Sequence, residues 1–416
     1  MSETVVKDLL GNISFINMGQ SPDSIYYNED GIGLPLIQGN ADIKERKSIK
    51  RFWTTQITKV CDKGDIIMTV RAPVGYIGVA SFQSCVGRGV CSIKANDIDS
   101  KYLFYLLVLN EDNWKAFEAG TTFSAVTSKE VLNFPLFLTK SKPEQQKIAK
   151  ILSTADAVIE KTKAAITKYK AIKQGMLHDL FTRGIDMSPM SPTNSEPCYK
   201  LRPRYEDAPH LYKKSKLGMI PKEWDEIPLE ELTTQIGDGI HTTPIYSQNT
   251  HFYFINGNNL VNGEIQIGSA LCVNEHEFSK HVKKLDERTI LYSINGTIGN
   301  IALFKNELVV LGKSICYISC KQDVNLNYIF FLLQTIHVSR FYELELTAST
   351  IRNLSLSSVR NTPIVIPKNK QEQALIGEKI NAIENNLQTE QSYLLKMQLL
   401  KKGLMEDLLS GKKQVI

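Results

Sequence analysis

Lys173-Gln174-Gly175-Met176-Leu177-His178-Asp179-Leu180 recurs as Lys401-Lys402-Gly403-Leu404-Met405-Glu406-Asp407-Leu408, and Glu144-Gln145-x-x-Ile148 recurs as Glu372-Gln373-x-x-Ile376, both at a spacing of 228 residues. No residue is inserted or lost between the two points, so the stretch joining them is one element copied whole. A period this long exceeds the roughly 20 to 50 residues of solenoid repeats, and each copy is expected to be a domain followed by a helix. Two such copies in one chain predict a pseudo-twofold object that faces a two-part ligand.

Periodicity carries the helix reading. No proline occurs from Gln145 to Arg183, and apolar residues fall at Ile148, Leu152, Ala155, Ile159, Ile166, Tyr169, Met176 and Leu180. Those steps of four and three are a heptad seam, interrupted at Thr162 and Lys173. The copy gives Ile376, Ile380, Ile383, Leu387, Leu394, Met397, Leu404 and Leu408, interrupted at Glu390 and Lys401, the same two layers. Two helices with matching narrow seams are most simply explained by packing on one another as a coiled coil. Each is roughly 58 Å long at about 1.5 Å per residue. An antiparallel arrangement is expected, because it brings the end of the first helix near the second globular unit and carries the two units to opposite ends of a rod. Lys161, Lys163, Lys168, Lys170 and Lys173 form either a solvated face or a nucleic-acid stripe.

Composition sets outer bounds. A chain of 416 residues with 42% hydrophobic content has ample material for folded cores and by length alone would hold about three average domains. Its longest apolar runs, such as Ile329-Phe330-Phe331-Leu332-Leu333, fall far short of the roughly 20 residues that cross a bilayer. The start, Met1-Ser2-Glu3-Thr4-Val5, lacks the basic and apolar regions of a signal peptide, so a cytoplasmic location is expected. Seven cysteines, an odd number at scattered spacing, point to reduced thiols; Cys316 and Cys320 are expected to be buried strand residues. A formal charge of +5 permits a nucleic-acid partner without demanding one.

Asp65 to Val70 and Tyr76 to Ala80 read as strands around a Pro/Gly turn, matched by Thr289 to Ser293 and Asn300 to Phe304, while Tyr102 to Leu109 and Tyr328 to Thr335 read as short helices. Each globular unit is therefore mixed α and β, and the fold class is α+β. Residues 185–216, with Pro189, Pro192, Pro197, Pro203 and Pro209, read as a surface linker.

Catalytic motifs are missing from the sequence. Gly312-Lys313-Ser314 resembles the end of a phosphate-binding loop, but Glu307 stands where its first glycine belongs. Asn133-Phe134-Pro135-Leu136 faintly resembles the Asn/Asp-Pro-Pro-Tyr motif of amino-methyltransferases and lacks the second proline and the stacking aromatic, so a helix-to-strand junction is expected there and at Asn361-Thr362-Pro363-Ile364. The histidines are dispersed, and Gly-x-Ser-x-Gly, His-Glu-x-x-His and Gly-x-Gly-x-x-Gly stretches do not occur. Beside a duplicated architecture this favours recognition over catalysis.

Several segments in order then carry a family resemblance: Gly19-Gln20-Ser21-Pro22, Gly120-Thr121-Thr122-Phe123 leading through Pro135 to Glu144-Gln145, Leu217 to Trp224, and Gly237-Asp238-Gly239-Ile240-His241-x-x-Pro244. Over essentially its full length the chain resembles the specificity subunit of type I restriction-modification enzymes. The first unit departs in lacking the Ile-Pro-x-x-Trp opening, and the second has Gly239 in place of Ser21. The resemblance implies target-recognition domains at 1–141 and 217–368, each followed by a spacer helix, at 142–184 and 369–411. It implies a chain that performs no catalysis, reads a split sequence in double-stranded DNA and docks two modification subunits and the restriction subunits. S-adenosylmethionine, ATP and Mg2+ would belong to those partners, with no cofactor and no metal in this chain. The residues alone also fit a coiled-coil scaffold whose ends bind protein, and a methylation-only defence system would differ only in partners.

Two different half-sites need different base-reading groups, whereas phosphate contacts can be shared. Arg88 in Gly87-Arg88-Gly89 aligns with Lys313 in Gly312-Lys313-Ser314, a retained cation that is either a phosphate contact or a solvated surface charge. Arg71 aligns with Asn295 after a strand; arginine suits a guanine edge and asparagine an adenine edge, and a polar turn cap is the competing role. Gln20, Ser21, Asp238 and His241 occupy Gly-led loops taken as matching and are candidate DNA contacts. Thr121 and Thr122 align with Ser349 and Thr350, hydroxyls that would either bind phosphate or satisfy local amides.

Overall fold

The computed structural model describes residues 5–114, 125–188, 200–347 and 353–413. The chain divides into two compact units, Met1–Ala164 with Ser392–Ile416, and Ala165–Gln391. No helix among the described residues is long and apolar enough to cross a membrane.

In the first unit a six-stranded sheet runs in the order Ser14–Met18, Val90–Ala95, Ile66–Thr69, Ile77–Val79, Lys47–Ser48 and Ile43–Lys44. A five-stranded sheet is built from Tyr27–Asn28, Phe52–Thr54, Leu34–Ile37, Ser84–Val86 and Val60–Cys61, in that order. All four residues of Ile66–Thr69 are buried, which is why this central strand runs Ile66-Ile67-Met68 without alternation, and the Thr69 hydroxyl donates to Pro73 O. The second unit repeats the central pattern: Thr233–Asp238, Ile315–Cys320, Thr289–Ser293 and Ile301–Leu303 follow one another in the same order. Both expected strand pairs are present, with Met68 opposite Ile77 and Leu291 opposite Ala302. Cys316 and Cys320 are buried on their strand, as anticipated.

Local capping fixes where helices start. Asp99 accepts from the Tyr102 amide at 2.9 Å to open Ser100–Leu109, and Asn325 does the same for Leu326–Leu332 through Tyr328, also at 2.9 Å. Thr127 and Ser355 cap the short helices Ser128–Leu132 and Leu356–Arg360. Each short helix leads directly into a proline-initiated strand, Pro135–Thr139 or Pro363–Pro367, so the Asn-x-Pro segments are helix-to-strand junctions.

The two long helices span Lys142–Thr182 and Lys370–Leu409. In the first unit the opening half of the first helix packs with the closing half of the second: Ile148 and Leu152 share a core with Met405, Leu408 and Leu409. In the second unit the roles reverse, and Leu177, Leu180 and Phe181 share a core with Ile376 and Ile380. The helices are therefore antiparallel. The two lysine interruptions of the seam have an explanation that periodicity could not supply. Lys401 pairs with Asp156 at 2.6 Å in the first unit, and Lys173 pairs with Glu384 at 2.6 Å in the second. Each pair is the other displaced by the 228-residue repeat, and each ammonium also lies over a ring, Tyr105 at 5.4 Å or Phe331 at 5.9 Å.

At its two described ends, 185–188 and 200–216, the segment expected to be a linker forms strands. Ile185–Asp186 pairs with Lys200–Leu201, and Tyr212–Ser215 forms a hairpin with Gly218–Pro221. The cause is a buried carboxylate. Glu372 is 2% exposed and accepts from the Ile185 amide at 2.8 Å, the Trp224 indole at 3.3 Å and both terminal nitrogens of Arg202, one of them at 3.0 Å. Burial opposes the Arg202 charge, but Glu372 and Glu223 outweigh it and raise its pKa. Gly184 turns the chain into this cluster at φ +65, and a Cβ there would lie about 2.5 Å from Arg202 and Trp224. The equivalent Glu144 is half-buried and takes a hydroxyl hydrogen bond from Thr139.

The two copies of one motif should therefore differ in cost. Glu372→Ala, which leaves the buried Arg202 with only the exposed carboxylate of Glu223, is expected to destabilise by roughly 3–5 kcal/mol. Glu144→Ala is expected to cost only about 1 kcal/mol. Urea unfolding of the two variants checks the order, and equal midpoints would contradict it.

Candidate nucleic-acid interface

At one end of the first unit's sheets, four turns are joined edge to edge by backbone hydrogen bonds. Gly19 donates to Val90 O at 3.0 Å and Gln20 to Val86 O at 2.9 Å; Gly87 donates to Ile37 O at 2.8 Å, and Val70 to Gly89 O at 2.9 Å. Glycine is required where these backbones meet. A Cβ on Gly19 would lie 2.1 Å from Gly87 O, and one on Gly89 would lie 2.1 Å from Gln38 O.

The second unit builds the same face. Gly239 donates to Ile315 O at 3.1 Å, Ile240 to Leu311 O at 2.7 Å, Gly312 to Ile255 O at 2.9 Å and Ile294 to Ser314 O at 2.9 Å. A Cβ on Gly239 would lie 2.1 Å from Leu311 O. The next turn also repeats, since Arg71 bridges Ala125 and Asn295 bridges Asn353, both antiparallel.

This geometry supports two of the sequence alignments and corrects a third. Arg88 and Lys313 occupy equivalent exposed positions between matched turns, and neither has an ion-pair partner among the described residues. The Arg88 amide is held by Ser21 Oγ at 3.1 Å, which points the loop outward. Arg71, exposed, and Asn295, half-buried, occupy equivalent positions as expected. Gln20 and Asp238 do not match. The crossing glycine of the second unit is Gly239 and not Gly237, so Gln20 corresponds to Ile240 and Ser21 to His241. Asp238 corresponds to Met18, each lying on a strand opposite a buried cysteine, Cys316 or Cys91. Gly237 misled the alignment because it meets a side chain and not a crossing backbone: a Cβ there would lie 2.3 Å from the Tyr317 hydroxyl. His241 Nε2 lies 2.8 Å from Asp238 Oδ2, so these two act as a pair. Thr121, Thr122, Ser349 and Thr350 lie outside the described residues.

Sequence reading missed Gln38 and Asn256. They occupy equivalent corners of the face, and the signal was present as Ile37-Gln38-Gly39-Asn40 and Ile255-Asn256-Gly257-Asn258. Asn256 Oδ1 accepts from Ser314 at 3.2 Å, whereas the Gln38 carboxamide has no hydrogen-bond partner among the described residues.

Chemically the face offers donors and acceptors on a fixed backbone. The thiols behind it stay protonated, because burial pushes Cys91 up to about 12 and raises Cys316 as well. Among the described residues no three His, Cys, Asp or Glu side chains converge as metal ligands.

The type I restriction modification DNA specificity domain matches residues 5–168 and again 221–396. A putative type I restriction enzyme specificity subunit, MjaX of Methanocaldococcus jannaschii, is 38% identical over 168 residues, 39% of either chain. The MjaIX specificity subunit of the same organism is 27% identical over 328 residues, 74% of this chain and 68% of that one. Among solved structures, the type I restriction-modification S subunit from M. genitalium superposes with a TM-score of 0.64 at 15% identity, covering 98% of this chain and 97% of that one. A chain from a study of complex assembly and conformational transition in the type I system gives 0.53 at 15% identity and 99% coverage of both. With the domain matched once in each half, this chain belongs to the type I restriction-modification DNA specificity family, as a DNA-recognition chain without catalysis of its own.

Proposed function

We propose that each unit reads one part of a split double-stranded DNA target, the first through the face carrying Gln20, Ser21, Arg71 and Arg88, the second through that carrying His241, Asp238, Asn295 and Lys313. The single observation behind this reading is the duplicated face itself. One backbone scaffold is kept in both units together with one exposed cation, while the neighbouring side chains differ, Arg71 against Asn295 and Ser21 against His241. Shared cations suit phosphates, which are alike in every sequence; differing polar groups suit bases.

Helices of 41 and 40 residues, roughly 60 Å at their usual rise, are longer than one turn of B-DNA at about 34 Å. The two words would accordingly be separated by unread base pairs. The antiparallel pair repeats its surface by the internal symmetry, which suits two modification subunits bound alike, with restriction subunits joining the assembly in the cytoplasm. S-adenosylmethionine, ATP and Mg2+ would be held by those partners.

The test measures binding of the chain, assembled with its modification subunits, to duplexes substituted at each position. Arg88→Ala and Lys313→Ala should each weaken all sequences alike and reduce the salt dependence by about one phosphate contact. Arg71→Ala should cost about 1–3 kcal/mol on the preferred sequence and relax a single position. Uniform losses from Arg71→Ala, or a sequence-specific loss from Arg88→Ala, would reverse the two roles. Sequence-independent, salt-insensitive behaviour of the unaltered assembly would refute DNA reading altogether.

A further inference from the structure

Beside Gln38 the first unit opens a groove of about 680 Å3, lined among others by Tyr27, Glu29, Asn40, Asp42, Arg51 and Pro73. Asp42 is 3% exposed and divides its carboxylate between two tasks. Oδ2 accepts from the Gln38 amide at 2.7 Å and the Gly39 amide at 3.2 Å, which shapes the turn that presents the Gln38 side chain. Oδ1 accepts from Arg51 Nη1 at 3.2 Å. The guanidinium lies beside the Phe52 ring at 5.5 Å, and its side chain is 42% exposed.

The second unit keeps the turn and drops the cation. Asn259 Oδ1 accepts from the Asn256 amide at 2.9 Å, as Asp42 does for Gln38. Its Nδ2 donates to Gln266 O at 3.1 Å, where Asp42 instead faces arginine. The strand pairing that sets Leu36 opposite Phe52 sets Phe254 opposite Leu271, so Arg51 corresponds to Ala270. By the rule that base readers differ between halves while phosphate anchors persist, Arg51 falls among the base readers.

Charge points the same way. Arg88 has no ion-pair partner among the described residues and suits a phosphate. Arg51 is compensated by Asp42, and Glu29 adds a second carboxylate to its groove, an environment that repels phosphate. A guanidinium oriented through one nitrogen still has a free fork of N–H donors, which matches guanine O6 and N7.

We infer that Arg51 is a specificity-determining residue of the first unit that reads a guanine through its guanidinium fork, and that Asp42 is its positioning residue. The inference rests on the DNA-reading function proposed above and assigns it a base and a half-site. The second half-site has no guanine read at the equivalent place, because Ala270 supplies no donor there.

The test uses the chain assembled with its modification subunits and S-adenosylmethionine, with methylation scored on a duplex library randomised over the target. The unaltered assembly must first yield a two-part motif; if it yields none, the proposed function itself fails. Given that motif, Arg51→Ala should make one guanine of one half degenerate, lower methylation of the preferred duplex about ten- to hundredfold and leave the other half unchanged. Arg51→Lys keeps the charge, loses the fork and should relax the same position. Asp42→Asn restores the residue type that caps this turn in the second unit, so it should fold and relax that guanine partially. An intact motif in Arg51→Ala, full selectivity in Arg51→Lys, or an equal loss over all sequences would overturn the inference.

Discussion

Neither half of this chain can complete its own core. Met405, Leu408 and Leu409, from the end of the second repeat, fill the core of the first unit. Leu177, Leu180 and Phe181, from the end of the first repeat, fill that of the second. A seam that buries few side chains per turn is a weak independent helix pair, and most helical stability comes from tertiary packing of an apolar face. Here that packing is reciprocal: each long helix starts on its own domain and ends on the other. The Lys173–Glu384 and Lys401–Asp156 pairs add register, since a slip by one turn would separate both ammonium groups from their carboxylates and rings at once.

Reciprocity also accounts for the asymmetry at Glu372. A carboxylate 2% exposed needs a cation and several donors, or its burial is unfavourable by several kcal/mol. The second unit receives Arg202, the Ile185 amide and the Trp224 indole because the connecting chain passes that helix start. The first unit keeps Glu144 half-exposed and satisfies it with one hydroxyl. The same two-residue motif thus has a structural role in each copy, but one is buried ionic packing and the other a half-buried carboxylate held by one hydroxyl.

The sequence was most legible where a period or a cap decides the structure. The heptad seam, the capped helices after Asp99 and Asn325 and the strands around Arg71 and Asn295 all follow from local pattern. Legibility failed where a distant group decides. The placing of Ile185 and Arg202 depends on Glu372, far along the chain, and proline content alone cannot reveal a partner for Arg202. The Gly237 alignment failed for a related reason: two glycines stand two residues apart, and only the crossing strand tells which of them meets backbone and which a side chain. Arg51 was invisible because its significance lies in Asp42, whose burial is a property of the fold.

On the proposed reading, a division of labour within each face would let one scaffold serve two sequences. Gly19, Gly89 and Gly239 are held by backbone approaches that admit no Cβ, so these positions cannot change without moving strands. The side chains between them differ, Arg71 against Asn295 and Ser21 against His241, and the contacts they make are local to the face, Ser21 with the Arg88 amide and His241 with Asp238. On the proposed reading, specificity would be stored in these side chains and not in the backbone crossings. Asp42 and Asn259 mark the limit of that freedom: the capping oxygen is kept because the turn needs it, and only the second polar atom, facing the groove or a carbonyl, is free to follow the target.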